Sequence, residues 1–122
     1  MTYSRKNQAA RVLIINEDKL TQKSLYETLC RMGYAVDIAE SAKEALSYIS
    51  KNAYHIVLAD MHSKESVEAL KSIKGRSSSP EVIALTSNAN MGVVMDSIKT
   101  GAFEYLVKPV EDFRIEDSIE RA

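Results

Sequence analysis

Short apolar runs recur along the chain at near-regular intervals, with amphipathic stretches between them. The runs are Arg11-Val12-Leu13-Ile14-Ile15, Tyr34 to Ile38, His55-Ile56-Val57-Leu58-Ala59, Val82-Ile83-Ala84-Leu85 and Phe103 to Val107. The continuous run Val12-Leu13-Ile14-Ile15 fits a strand buried on both faces of a parallel sheet; the others read as further strands, that at 55–59 buried as well. The intervening stretches carry apolar residues at helical spacing. Leu25, Leu29 and Met32 mark a first helix over residues 19–32, with Gly33 as its stop. Ser41-Ala42-Lys43-Glu44 reads as a capping box ahead of Ala45, Leu46 and Ile49. Val67, Leu70 and Ile73 predict a third helix, closed by Gly75 and the serines at 77–79. Met91, Val94, Met95 and Ile98 predict a fourth, stopped near Gly101, and Ile115 and Ile119 start a fifth. Strands alternating with helices imply an α/β fold: a doubly wound, five-stranded parallel sheet with right-handed crossovers and helices on both faces.

Residues 1–10 are polar and aperiodic and read as a flexible tail; residues 11–122 read as one domain. The last helix is short for this architecture, so a longer helix and an output domain are expected to follow Ala122 in the natural protein. Charge changes the picture little. Sixteen Lys and Arg against 17 Asp and Glu leave no basic excess, so no direct nucleic-acid binding by this domain is expected. No apolar run is long enough for a bilayer span or a signal peptide, and the expectation is a cytoplasmic protein without a membrane partner. The single cysteine, Cys30, falls on the expected core side of the first helix and reads as a plain buried thiol.

In open α/β sheets, ligands sit beyond the carboxyl ends of the strands. Strand one ends in Asn16-Glu17-Asp18, strand three in Asp60, strand four in Thr86 and strand five in Lys108. Carboxylates, a hydroxyl and an ammonium converging on one crevice suit a divalent cation with a phosphoryl group. Oxygen donors in small number select Mg²⁺. Lys108 would neutralise phosphoryl oxygens, Thr86 would donate a hydrogen bond to them, and Asp60 is placed as nucleophile or metal ligand. His55 and His62 have no partners at metal-ligand spacing.

Asp60 after His-Ile-Val-Leu-Ala, Thr86 after Glu-Val-Ile-Ala-Leu, and Gly101-Ala102 followed by Tyr105-Leu106-Val107-Lys108-Pro109 resemble the receiver domains of two-component response regulators, over residues 11–122. The resemblance implies a flavodoxin-like fold with strand order 2-1-3-4-5. It implies Asp60 as phosphoacceptor, taking its phosphoryl group from a sensor histidine kinase or phosphotransfer protein in the presence of Mg²⁺. Such a domain is a switch with only self-catalysed phosphorylation and dephosphorylation, not an enzyme in the usual sense. Glu17, Asp60 and the backbone carbonyl of His62 would be metal ligands. Thr86 and Tyr105 would be the switch pair, and Lys108-Pro109 would carry a cis peptide. The fourth helix, fifth strand and fifth helix would form the switching surface and the face for an optional homodimer.

The chain departs from that family in two places. Strand one usually ends in two acidic residues, and here Asn16 and Glu17 stand there. Asn16 is neutral and would reach a metal only through a bound water, via its amide oxygen. In an alternative register the pair would be Glu17 and Asp18, although Asp18 reads naturally as a helix N-cap. The loop from Met61 to Ser66 lacks the family's Pro and Gly and is shorter. These departures predict weakened metal binding and slower phosphorylation. They also keep open a pseudo-receiver, an interaction module that is not phosphorylated. A small aspartyl-nucleophile phosphohydrolase is disfavoured, because its nucleophile position after strand one is occupied by Asn16.

Overall fold

Val12, Leu13 and Ile14 are all fully buried, although consecutive strand residues point to opposite faces. Both faces of their strand must therefore be covered. The computed structural model describes residues 10–60, 64–75, 80–86, 92, 99, 101–108 and 110–122, with only the backbone described at 64–67. Within these, five strands form one parallel sheet: β1 (Arg11–Ile15), β2 (Ala35–Ala39), β3 (Ile56–Asp60), β4 (Glu81–Thr86) and β5 (Glu104–Val107). Their order is β2-β1-β3-β4-β5, the order expected from the sequence. The helices are α1 (Lys19–Arg31), α2 (Ala42–Lys51), α3 (Lys64–Lys74) and a C-terminal helix (Asp112–Arg121).

Strand alternation splits the interior into two cores. Val12, Ile14, Ile56, Leu58, Ile83, Leu85 and Leu106 face Leu25 and Leu29 of α1 and Ile115 and Ile119 of the C-terminal helix. Leu13, Val57, Ala59, Val82 and Ala84 face Ala45 of α2 and Leu70 and Ile73 of α3. Helices thus cover both faces, and the strand ends are left as the open rim. Leu58 lies on the central strand and is 1% exposed. Leu58→Ala is expected to cost about 2–5 kcal/mol, a large part of the roughly 5–15 kcal/mol typical of a domain. Urea unfolding followed by circular dichroism measures it.

The helix starts follow the sequence signals. Asp18 is the N-cap of α1, its carboxylate accepting from Thr21 N at 2.9 Å. Ser41 caps α2 by accepting from Glu44 N at 3.1 Å. The box is not fully reciprocal, because Glu44 accepts from Glu40 N at 3.2 Å. Gly33, at φ 93°, supplies the left-handed turn that ends α1.

Cys30 corrects its sequence reading: it is exposed. The buried face of α1 is Gln22, Leu25, Thr28 and Leu29, and Cys30 lies one residue, about 100° of helix, beyond it. Tyr105 is exposed, at 39%, because β5 is the sheet edge and buries only Leu106 fully. The tail at 1–9, His62 and the loop around it, the core positions of the expected fourth helix and Pro109 lie outside the described residues. Among the described residues, no helix is long and apolar enough to cross a membrane.

Candidate functional site at the carboxyl ends of the strands

Asp60 is the last residue of β3, and its ladder partner is Leu85 of β4. Alternation continues the face of Ile56 and Leu58 onto Asp60, and the face of Leu106 onto Lys108. Lys108 follows β5 directly, where its backbone N–H donates to Thr86 O at 2.7 Å. This anchors the start of the side chain beside β4. Its ammonium then reaches across β4 to form an ion pair with Asp60 Oδ1. The Asp60 side chain is 14% exposed and that of Lys108 37%. An ionised carboxylate this far out of water needs a paired cation, and Lys108 is that partner.

Thr86 ends β4 one residue beyond the Asp60–Leu85 pair and is 1% exposed. Its position brings a hydroxyl-bearing side chain to the same rim. Tyr105 lies on β5 opposite Ala84, further from the rim.

On the other side of Asp60 stands β1. Its register with β3 runs Val12↔Ile56 to Ile15↔Ala59, so one step further sets Asn16 beside Asp60. Asn16 is 2% exposed. Its backbone N–H donates to Ala39 O at 3.0 Å, its carbonyl accepts from the Gln22 side chain, and its Oδ1 accepts from Asp18 N at 2.8 Å. The last bond is a local Asx-type turn that sets up the N-cap of α1. The amide oxygen expected to hold a metal-bound water is thus engaged by the backbone. Asn16 Nδ2 is buried and has no hydrogen-bond partner among the described residues. An orphaned buried donor costs about 1–3 kcal/mol, so it asks for an explanation.

The Asp18 carboxylate is engaged as the N-cap of α1, accepting from Thr21 N at 2.9 Å. The Thr21 hydroxyl and N–H hold its carboxyl below the usual aspartate range, Lys108 adding a smaller electrostatic contribution. Glu17 is exposed in the β1–α1 turn. Among the described residues, no group of three or more His, Cys, Asp or Glu forms a metal cluster. Glu17, Asp18 and Asp60 place carboxylates at the ends of β1 and β3. One or two carboxylates with retained waters is the chemistry Mg²⁺ accepts, so these residues fit that ion.

Gln22, which donates to the Asn16 carbonyl, is not among the residues expected at the site, though a signal existed: a polar residue at the 22, 25, 29 positions of an apolar stripe. A second network was invisible in the sequence. Arg121 of the C-terminal helix pairs with Glu104 of β5 at 2.7 and 2.9 Å, and Ser118 donates to Glu104 at 2.5 Å. Arg121, then Ser118, hold the Glu104 carboxyl below its usual range. A depressed carboxyl pKa contributes stability above the unfolded value, roughly 4.3, and that contribution is lost as pH falls through the lower folded value. With Arg121 50% exposed, solvent screening keeps the contribution of the pair small. Arg121→Ala is expected to lower stability slightly at neutral pH and by progressively less as Glu104 protonates. Urea melts at several pH values check this.

Comparison with known proteins gives the family to which this fold belongs. The response regulator receiver domain family matches residues 12–120, and the chain belongs to that family. It is 26% identical over 113 residues to the transcriptional regulatory protein ZraR of Escherichia coli strain K12, covering 90% of this chain and 26% of that protein. It is 28% identical over 115 residues to the response regulator protein FleR of Pseudomonas aeruginosa, covering 93% of this chain and 24% of that protein. The chain therefore spans about a quarter of the length of these two relatives. Among solved structures, a CheY-like receiver domain protein from Methanospirillum hungatei JF-1 superposes with a TM-score of 0.85 at 27% identity, covering 92% of this chain and 91% of that one. The chemotaxis protein CheY4 of Vibrio cholerae superposes at 0.84 with 22% identity, over 92% of this chain and 97% of that one, which shows the shared fold.

Proposed function

We propose that this receiver domain is a phosphoacceptor switch: Asp60 takes a phosphoryl group from a histidine kinase or phosphotransfer protein, in the cytoplasm. The observation that supports it best is the ion pair of a largely buried Asp60 with Lys108 at the ends of nearby strands. An Asp60 carboxylate oxygen forms the bond to phosphorus as the bond from phosphorus to the donor breaks, and the donor keeps that electron pair. Positioning and charge stabilisation, more than covalent help, are what phosphoryl transfer requires of a protein. Glu17 and Asp60 would hold Mg²⁺, with the carbonyl of His62 as a further candidate ligand. When bound, that ion offsets negative charge on the phosphoryl oxygens.

The product adds about −1.5 to −2 of charge and three acceptor oxygens beside Asp60. Lys108 exchanges its carboxylate partner for these oxygens, and the Thr86 hydroxyl donates to them. Because Lys108 and Thr86 share a backbone hydrogen bond, moving either one shifts the β4–β5 edge. The face so altered includes exposed Tyr105 and Val107 of β5 and Phe113 of the C-terminal helix, apolar surface suited to an output partner or a second copy of the chain.

The direct test is intact-mass measurement after incubation with Mg²⁺ and acetyl phosphate. One phosphoryl adduct is expected. No adduct would instead make the chain an unphosphorylated interaction module, and repeated turnover of a phosphate ester would make it a hydrolase.

A further inference from the structure

We infer that Asn16 is an anion-binding residue of the acceptor pocket: its Nδ2 amide donates to an oxygen of the group carried by Asp60. This rests on Asp60 being the phosphoacceptor and assigns its β1-side neighbour a role opposite to that of a metal ligand.

The orientation of the amide follows from chemistry. Asp18 N–H, 2.8 Å away, can only donate, so the atom facing it must be the Asn16 oxygen. The NH₂ group is then the free end of the side chain. It is buried, at a residue only 2% exposed, and no described group accepts from it. The rotation that would put oxygen there instead would set NH₂ against Asp18 N–H, donor against donor.

The register places this donor beside the acceptor. Asn16 continues the β1 face of Val12 and Ile14, Asp60 continues the β3 face of Ile56 and Leu58, and the two strands are paired neighbours. Same-face neighbours on adjacent strands lie about 5 Å apart at the backbone, within reach of one tetrahedral oxyanion. Lys108 approaches Asp60 from the β5 side and Asn16 stands on the β1 side. Asp60 is therefore flanked by donors on both sides. The same NH₂ carries partial positive charge and offers no lone pair to a cation. Asn16 thus removes one metal-directed oxygen from the pocket and adds one phosphoryl-directed donor.

Nuclear magnetic resonance tests this on the wild-type chain. Beryllofluoride, whose tetrahedral fluorides stand in for phosphoryl oxygens on an aspartate, is titrated in at saturating Mg²⁺. The Asn16 side-chain amide protons are expected to move strongly. Those of Asn52, which donates to Tyr48 O at the opposite end of the sheet, serve as the unmoved reference. Asn16→Ala is expected to weaken beryllofluoride binding at least tenfold, as for one hydrogen bond to a charged acceptor. The near-isosteric Asn16→Asp is expected to bind Mg²⁺ alone more tightly than wild type by calorimetry. Wild-type uptake of beryllofluoride with an unmoved Asn16 amide, or undiminished binding by Asn16→Ala, overturns this inference alone. A wild-type chain that takes up neither beryllofluoride nor a phosphoryl group overturns the phosphoacceptor reading with it.

Discussion

The Asp60→Asn variant is expected to take up no phosphoryl group from acetyl phosphate under conditions that give the wild type one adduct. The carboxamide has nearly the shape of the carboxylate, so the end of β3 keeps its packing and its ladder to β4. What disappears is the anionic oxygen that forms the bond to phosphorus. Lys108 loses its partner, yet at 37% exposure its ammonium can turn to water. The fold should therefore survive, with unfolding free energy within about 1 kcal/mol of wild type. That range holds because the lost ion pair and the removed buried charge act in opposite directions. Intact mass reads the adduct and urea melts read the fold. An adduct that persists in Asp60→Asn would move the acceptor to another carboxylate, with Glu17 and Asp18 the candidates at the end of β1, and would overturn the assignment.

Much of this architecture can be read from one-dimensional pattern because the sheet is parallel and covered on both sides. That geometry makes each central strand a continuous apolar run, as in Val12-Leu13-Ile14 and Val57-Leu58-Ala59, all buried. The strand boundaries move by a residue for a physical reason. Asp60 and Thr86 look like terminators by polarity, yet their backbones still belong to the ladder, so β3 and β4 include them. Helix caps are legible at Asp18 and Ser41 because a cap is a local event, three residues from donor to acceptor.

Less of the site is legible. Convergence of Asp60 and Lys108 is expected from strand order, and the two form an ion pair. The role of Asn16 does not follow from residue type. A buried asparagine offers an oxygen or an NH₂ depending on which end the backbone engages, and only the Asp18 N–H bond decides it. Long-range polar pairs are hidden for the same reason. Tyr54 donates to Asp37 at 2.6 Å, Arg11 pairs with the same carboxylate at 3.0 Å, and the Arg11 guanidinium sits 5.3 Å from the Tyr54 ring. No spacing rule joins these three, because it is the sheet that brings β1, β2 and the turn before β3 together. Cys30 shows the converse error: three polar or small residues, Gln22, Thr28 and Cys30, compete for the α1 core face, and the two polar ones take it.

Lys108→Met is expected to slow adduct formation on Asp60 by about 10²- to 10³-fold, the usual cost of losing one preorganised donor to a developing anion. Methionine keeps the unbranched stem and its packing, so the change removes little besides the charge. The backbone bond from position 108 to Thr86 O does not depend on the side chain and should persist. One consequence separates this residue from a merely structural one. Any adduct that does form should fail to propagate, because Lys108 is the link between the phosphoryl oxygens and the β4–β5 edge. Stopped-time intact mass gives the rate, and amide spectra of β5 and the C-terminal helix give the propagation. A Lys108→Met chain whose β5 resonances respond to beryllofluoride as the wild type's do would place the switch elsewhere, with Thr86 as the remaining residue at that rim able to carry it.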